Sequence, residues 1–158
     1  MSIQLTWRLK KFEDLSPAEL YKILSLREEV FIVEQNCPYL DTDGKDLNSH
    51  HLMGFAEKEF LAAYARIVFP GISYDEVSIG RVVSSPRYRR TGLGKILMEE
   101  ALKRIAEIYG NIPVRIGAQK YLLEFYKGFG FVPEGDDYLE DGIPHVIMLR
   151  TVNMKAGK

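Results

Sequence analysis

The sequence predicts a mixed α/β fold, a sheet of mixed strand direction with helices on both faces. Segments that alternate apolar and polar residues mark strands near both ends of the chain, and two longer stretches keep an apolar stripe at helical spacing. Between them one stretch reads strand, basic loop, glycine turn, helix, the succession that lays a helix back against a sheet.

Residues 3–12 alternate, with Ile3, Leu5, Trp7 and Leu9 set against Gln4, Thr6, Arg8 and Lys10, as a half-buried strand does. A helix starts at Ser16, its cap, with Pro17 in the first turn and Glu19 reaching back. Leu20, Ile23, Leu24, Val30 and Phe31 form its buried face as far as about Val33, and Arg27 on the same stripe is expected to pair at the domain edge. Residues 34–48 are polar, turn-rich and aperiodic. The run Asp41-Thr42-Asp43-Gly44-Lys45-Asp46 invites a calcium reading, but an EF-hand loop needs its glycine sixth and a glutamate closing it, and here the glycine is fourth. A loop of this length in a compact domain is commonly functional.

Residues 51–57 and 60–69 read as a hairpin turning at Lys58-Glu59 and ended by Pro70-Gly71. The next strand is 77–84. The following helix keeps Leu93, Leu97, Ala101, Ile105 and Ile108 on one face to about Tyr109, where Gly110-Asn111 closes it and Pro113 bars its continuation. A strand at 114–118, a short helix at 121–129, a strand opening at Phe131-Val132-Pro133, a polar loop at 134–142 and an alternating strand at 145–152 complete the order. No repeat, linker or low-complexity segment divides residues 1–158, so one domain is expected.

The 158 residues carry a formal net charge of -1, which argues against a general nucleic-acid binder despite Arg87, Arg89 and Arg90. Cys37 is the one cysteine, so no internal disulfide forms and a reducing compartment is natural. The first residues lack the apolar core of a signal peptide, and the apolar run 60–65 stops at Arg66, far short of a membrane span. A cytoplasmic protein, monomer or homodimer, with no membrane or nucleic-acid partner is the expectation.

The central stretch carries the chemistry. After Ser85-Pro86 the chain passes Arg87, Tyr88, Arg89, Arg90 and Thr91 and enters the helix through Gly92, Leu93, Gly94 and Lys95. The first amides of a helix lack intrahelical partners, and the helix dipole favours anions there. Two glycines let an anion down onto those amides, and Arg89, Arg90 and Lys95 add charge-assisted contacts, so the loop suits a pyrophosphate. Ile96 stands where a P-loop needs a hydroxyl, and Leu97 where a dinucleotide fingerprint needs its third glycine. A helix that merely begins with glycines beside a solvated basic loop remains the alternative on these positions alone.

Arg89-x-x-Gly92-x-Gly94 after a strand resembles the acyl-CoA-binding motif of the GCN5-related N-acetyltransferase (GNAT) superfamily. Phe125-Tyr126-Lys127-Gly128-Phe129-Gly130-Phe131 resembles the superfamily's other recurring signature and follows strand 114–118 in the right order. Further runs, among them Val33-Glu34-Gln35-Asn36-Cys37-Pro38-Tyr39 and Glu140-Asp141-Gly142-Ile143-Pro144-His145, are similar to its ElaA-type branch of small bacterial acetyltransferases.

The resemblance implies a centrally splayed GNAT-type sheet, acetyl-CoA as cosubstrate, no metal, and a primary amine that attacks the thioester directly. It implies that residues 89–95 hold the pyrophosphate and that the backbone of Val82, Val83 and Ser84 lines the pantetheine and polarises the carbonyl. Gln119, where the family often has Asn, would hold the pantetheine arm beside Phe125. Tyr126 matches the family's general acid, and a core tyrosine is its plainer reading. The base that takes the acceptor's proton is open among Glu34, His51, Glu140, Asp141 and His145, with His51 and Glu34 the leading choices and His50 the strand alternative. The direct mechanism needs no nucleophilic Cys37. A non-catalytic acyl-CoA-binding regulatory module is the competing class.

Overall fold

The computed structural model describes residues 3–151. Met1, Ser2 and the expected end of the last strand at Val152 lie outside them. In chain order the elements are β1 (Thr6–Lys11), α1 (Pro17–Arg27), β2 (Ser49–Ala56), β3 (Phe60–Val68), β4 (Ser78–Ser84), α2 (Leu93–Tyr109), β5 (Val114–Gln119), α3 (Leu123–Lys127), β6 (Val132–Glu140) and β7 (Ile143–Arg150). The first helix does not stop at Arg27 but runs on as a π-helical segment, Glu28–Glu34. Its start is a full capping box, with the Ser16 hydroxyl accepting from the Glu19 N–H at 3.0 Å and Glu19 accepting from the Ser16 N–H at 2.9 Å.

Antiparallel pairing orders the strands β1-β2-β3-β4 in one sheet and β5-β7-β6 in another. The sheets are joined by a parallel bridge between Val77 and Val114, where the Arg115 N–H donates to the Val77 carbonyl at 3.1 Å. Beyond that bridge no pairing holds β4 to β5 among the described residues, so the two parallel strands part toward their C-terminal ends. This is the splayed sheet that the family resemblance implies.

The core lies on both faces of the four-stranded sheet. Leu93, Leu97, Met98, Ala101 and Ile105 of α2 pack with Leu52, Ala65, Ile67 and Ile79 on one face. Ile23, Leu26 and Val30 pack with Met53, Phe55, Tyr64 and Val83 on the other. Ile79 and Val83 would share a face in a regular strand. They do not, because Gly80 pairs with Arg66 and Val83 with Tyr64, leaving Arg81 and Val82 opposite Ala65 alone. That is a β-bulge, and Arg81 takes φ 51° within it.

Three expectations need correction. Residues 134–142 are not a loop: they belong to β6 and its tight turn into β7. Asp141 and Gly142, at φ 50° and 77°, make the two-residue turn that fits strand twist. An Asp-Gly pair before an alternating run was the overlooked signal. Ile108 is 41% exposed and Leu20 only half-buried, while Met98 and Leu26 join the buried faces instead. Arg27 is not at an edge either, since its side chain is wholly buried.

Candidate active site

The gap between β4 and β5 opens into a cleft of about 660 Å³. Its walls come from β4, from Ile116, Gly117 and Gln119 of β5, from Tyr126 of α3, and from the loop before β2. Tyr74, Tyr138, Glu140, Asp141 and His145 also line it. Of the residues read from sequence, Val82, Val83, Ser84, Arg89, Gln119 and Tyr126 line this cleft, as do the base candidates Glu140, Asp141 and His145.

Arg90, Thr91, Gly92, Leu93, Gly94 and Lys95 are not on its walls but form the turn that enters α2 directly after Arg89. Arg90 and Gly92 are left-handed, at φ 63° and 78°, and a Cβ at Gly92 would meet nothing within 4 Å, so the turn is open as well as tight. The Thr91 hydroxyl donates to the Tyr88 carbonyl at 2.6 Å and braces the loop. Among the described residues no side chain caps the start of this helix, so its first amides have no side-chain partner. Phe125 stands over this helix start, 3.8 Å from where a Cβ of Gly94 would be.

Tyr126 is 8% exposed, and burial, helped by nearby Tyr121, pushes its phenol up to about 12. It is therefore protonated at neutral pH. Gly117 is needed for a close approach: a Cβ there would come within 2.6 Å of the Tyr138 hydroxyl and 3.1 Å of the Tyr74 hydroxyl. Neither tyrosine was singled out from sequence. Tyr138 was hidden by the misread loop, and Tyr74 lies between elements with no pattern to mark it.

The two leading base candidates are corrected. His51 is fully buried and does not reach the cleft. Its Nε2 is 2.9 Å from the Asp46 carbonyl, to which it must donate, and its Nδ1 lies 2.7 Å from the Tyr64 hydroxyl. Burial holds its basicity below the ordinary range, the Asp46 carbonyl working the other way. Glu34 is not on the cleft wall. It accepts both Nη groups of Arg89, one at 2.6 Å, and this pairing holds its carboxyl below the usual range and makes it a poorer proton acceptor. His50 faces Tyr109 and Phe69 instead, away from the cleft.

The Asp-rich loop is held by arginines. Arg27 Nε donates to Asp41 at 2.8 Å and its Nη1 to Asp46 at 2.7 Å. Arg66 donates to Asp43 at 2.8 Å and to Asp46 at 3.1 Å, and Arg81 Nε to Asp41 at 2.8 Å. Three cations thus balance three carboxylates where the loop meets β3 and the bulge in β4. Burial alone would raise the carboxyl of Asp43, but Arg66, then the Lys45 N–H and Arg81, outweigh it and hold that carboxyl well below its usual range. The network seats Tyr39 and Lys45 on the cleft wall. Among the described residues no three His, Cys, Asp or Glu side chains converge as a metal site, and no helix is long and apolar enough to cross a membrane.

Comparison with known proteins agrees with this architecture. A family model described as an acetyltransferase (GNAT) domain matches residues 40–152. The chain is 43% identical to ElaA of Escherichia coli over 150 residues, covering 94% of this chain and 97% of that protein. It is 41% identical to a UPF0039 protein of Synechocystis over 147 residues, covering 93% and 96%. Among solved structures, an acyl-CoA N-acyltransferase from Pseudomonas aeruginosa matches with a TM-score of 0.89 at 45% identity, covering 94% of this chain and all of the other (100%). The crystal structure of Escherichia coli ElaA matches at 0.85 and 41% identity, covering 93% and 99%.

Proposed function

Because this chain belongs to the GNAT acetyltransferase family, whose members take acyl groups from acyl-CoA, we propose that it moves an acetyl group from acetyl-CoA to a primary amine. The amine attacks the thioester directly, within a ternary complex and with no acyl-enzyme. The observation that carries this reading is the parting of β4 and β5 beyond the Val77–Val114 bridge, with the bulge on one wall and Tyr126 on another. An extended pantetheine arm fits between two parallel strands that have stopped pairing with each other.

The pyrophosphate rests on the turn from Arg89 to Lys95, with Arg90 and Lys95 supplying charge and the amides of Leu93 and Gly94 supplying donors. The arm runs along Val82, Val83 and Ser84, with Gln119 and Phe125 on the opposite side. The bulge takes Val82 out of the ladder, and past the bridge β4 has no partner on its outer edge among the described residues, so backbone groups of Val82 and Val83 polarise the carbonyl as negative charge builds on its oxygen. Tyr126 donates a proton to the departing sulfur. A phenol is a weaker acid than a thiol, so this transfer is coupled to the proton leaving the attacking nitrogen, which restores the phenol. The acceptor enters from the side of Tyr39, Tyr74 and Tyr138. The lone Cys37 and balanced charge suit a cytoplasmic enzyme that works as a monomer or homodimer on acetyl-CoA and an amine, without nucleic acid or membrane.

The test is CoA release across a panel of small amines and peptide amines, with Tyr126→Phe as the control. Turnover of at least one amine is expected, and kcat for Tyr126→Phe should fall about 100-fold while the unfolding midpoint stays put. Full turnover by that variant, with chemistry rate-limiting, would remove Tyr126 from the mechanism.

A further inference from the structure

Acetyl transfer needs a group to take a proton from the acceptor, since an alkylammonium near pKa 10.4 has no lone pair to offer at neutral pH. We propose, resting on the acetyl-transfer reading above, that His145 is this catalytic base and that its Nε2 takes the proton from the acceptor's ammonium.

His145 pairs with Gln119 of β5 on one side and with Tyr138 of β6 on the other, so the three side chains form a row on one face of the sheet. All three line the cleft that also holds Tyr126. A backbone carbonyl fixes the tautomer of the ring. His145 Nδ1 lies 2.7 Å from the Ile143 carbonyl oxygen, which can only accept a hydrogen bond. Nδ1 therefore carries the hydrogen, and the neutral ring's lone pair is on Nε2. Glu140 Oε2 is 4.0 Å from that nitrogen, close enough to steady the imidazolium once it forms, and the Tyr138 ring lies 5.7 Å from the imidazole.

The other histidines lack this combination. Both nitrogens of His51 are engaged in the core, and His50 is turned toward Tyr109. The carboxylates Glu140 and Asp141 also face the cleft, but a carboxylate is ordinarily a far weaker base toward an ammonium than an imidazole is.

Nε2 accepts one proton from the ammonium, and the freed nitrogen lone pair forms the C–N bond to the acetyl carbon. The C–S bond breaks, and Tyr126 protonates the sulfur. The second proton lost by the nitrogen restores the Tyr126 phenol, and His145 releases its own proton to solvent. The products are an amide, CoA thiol and one proton.

His145→Asn is the decisive variant, because its side-chain amide still donates to the Ile143 carbonyl yet offers nothing at the place of Nε2. Rates are measured from pH 7 to 10 with an alkylammonium acceptor. Glu140, Asp141, Tyr138, Tyr74, Tyr126 and Cys37 share the cleft; Tyr126 and Tyr138 titrate only at about 12, and a Cys37→Ser background in both proteins removes the thiol. At pH 7 kcat/KM should fall about 100-fold, and the deficit should shrink toward pH 10 as free amine becomes abundant. The Kd for acetyl-CoA and the unfolding midpoint should hold. His145→Gln serves if the Asn variant fails to fold. Activity within about threefold of the parent at pH 7, or a deficit that is the same at every pH, would overturn the base. Absence of turnover with every amine in the parent protein would instead overturn the acetyl-transfer reading, and the base with it.

Discussion

Two groups of cations, one in the Asp-rich loop network and one at the start of α2, are treated in opposite ways. Arg27 and Arg66 are buried, 0% and 3% exposed, and bonded to Asp41, Asp43 and Asp46. Arg90 and Lys95 are exposed at the mouth of α2 and, among the described residues, make no salt bridge. Arg89 lies between the two conditions, exposed but held by Glu34. A buried guanidinium must be neutralised by the protein itself, because water no longer does it, so the first group is architecture. An exposed cation beside free helix amides is already solvated, and a phosphate can replace that water at little cost, so the second group suits a ligand. The lesson is that arginine type says nothing of role until burial is known.

This contrast can be broken most forcefully at Asp46, which takes hydrogen bonds from both Arg27 and Arg66. Asp46→Ala leaves two buried guanidinium groups short of a partner, and urea unfolding should show a loss of about 3 kcal/mol. A loss under about 1 kcal/mol would mean that the network does not hold the loop. Acid is the next probe. Asp43 and Asp46 have folded pKa values below their ordinary ones, with Arg66 and Arg27 respectively outweighing a burial effect that acts the other way. Their contribution to stability is present above about pH 4 and is lost as pH falls through the folded values. Burial also lowers the pKa of His50 and His51, so unfolded histidines bind protons first and stability begins to fall as pH drops below about 6.5. Unfolding midpoints taken from pH 7 to 3 should therefore decline throughout; a flat profile would contradict both groups.

Smaller effects belong to the exposed group. Arg90→Ala and Lys95→Ala should each weaken acetyl-CoA binding about fivefold, less at high salt, with no change in unfolding. If calorimetry found affinity unaltered in both, the pyrophosphate would have to lie elsewhere. Glu34→Gln should act least. It frees Arg89 from an exposed pair and should tighten acetyl-CoA binding by no more than about threefold. Weaker binding instead would show that Glu34 positions Arg89 for the ligand rather than competing for it.

Much of the fold around the candidate site was legible because its signals are local. The capping box at Ser16 and Glu19, the stripe from Leu93 to Ile105 and the glycines that open α2 each depend on residues a turn or so apart. The Asp141-Gly142 turn was equally local and was missed only because the polar residues before it masked a strand whose side chains are mostly exposed. His51 and His145 were a different matter. Each opens an extended stretch, and nothing in their neighbourhoods says that one ring is sealed beneath Tyr64 while the other faces the cleft.

The sequence by itself determined where the main helices start and stop, most of their apolar faces, the glycine-opened start of α2, and that a tyrosine follows the second strand of the cleft. Short-range sterics and hydrogen bonding within a few residues suffice for all of these. Only the tertiary structure decided that Arg27 belongs to the interior, that the bulge at Arg81 and Val82 sends Ile79 and Val83 to opposite faces, and which histidine lines the cleft. Burial and partnership arise between segments far apart in the chain, as when Arg81 meets Asp41 across 40 positions, and no local pattern encodes them.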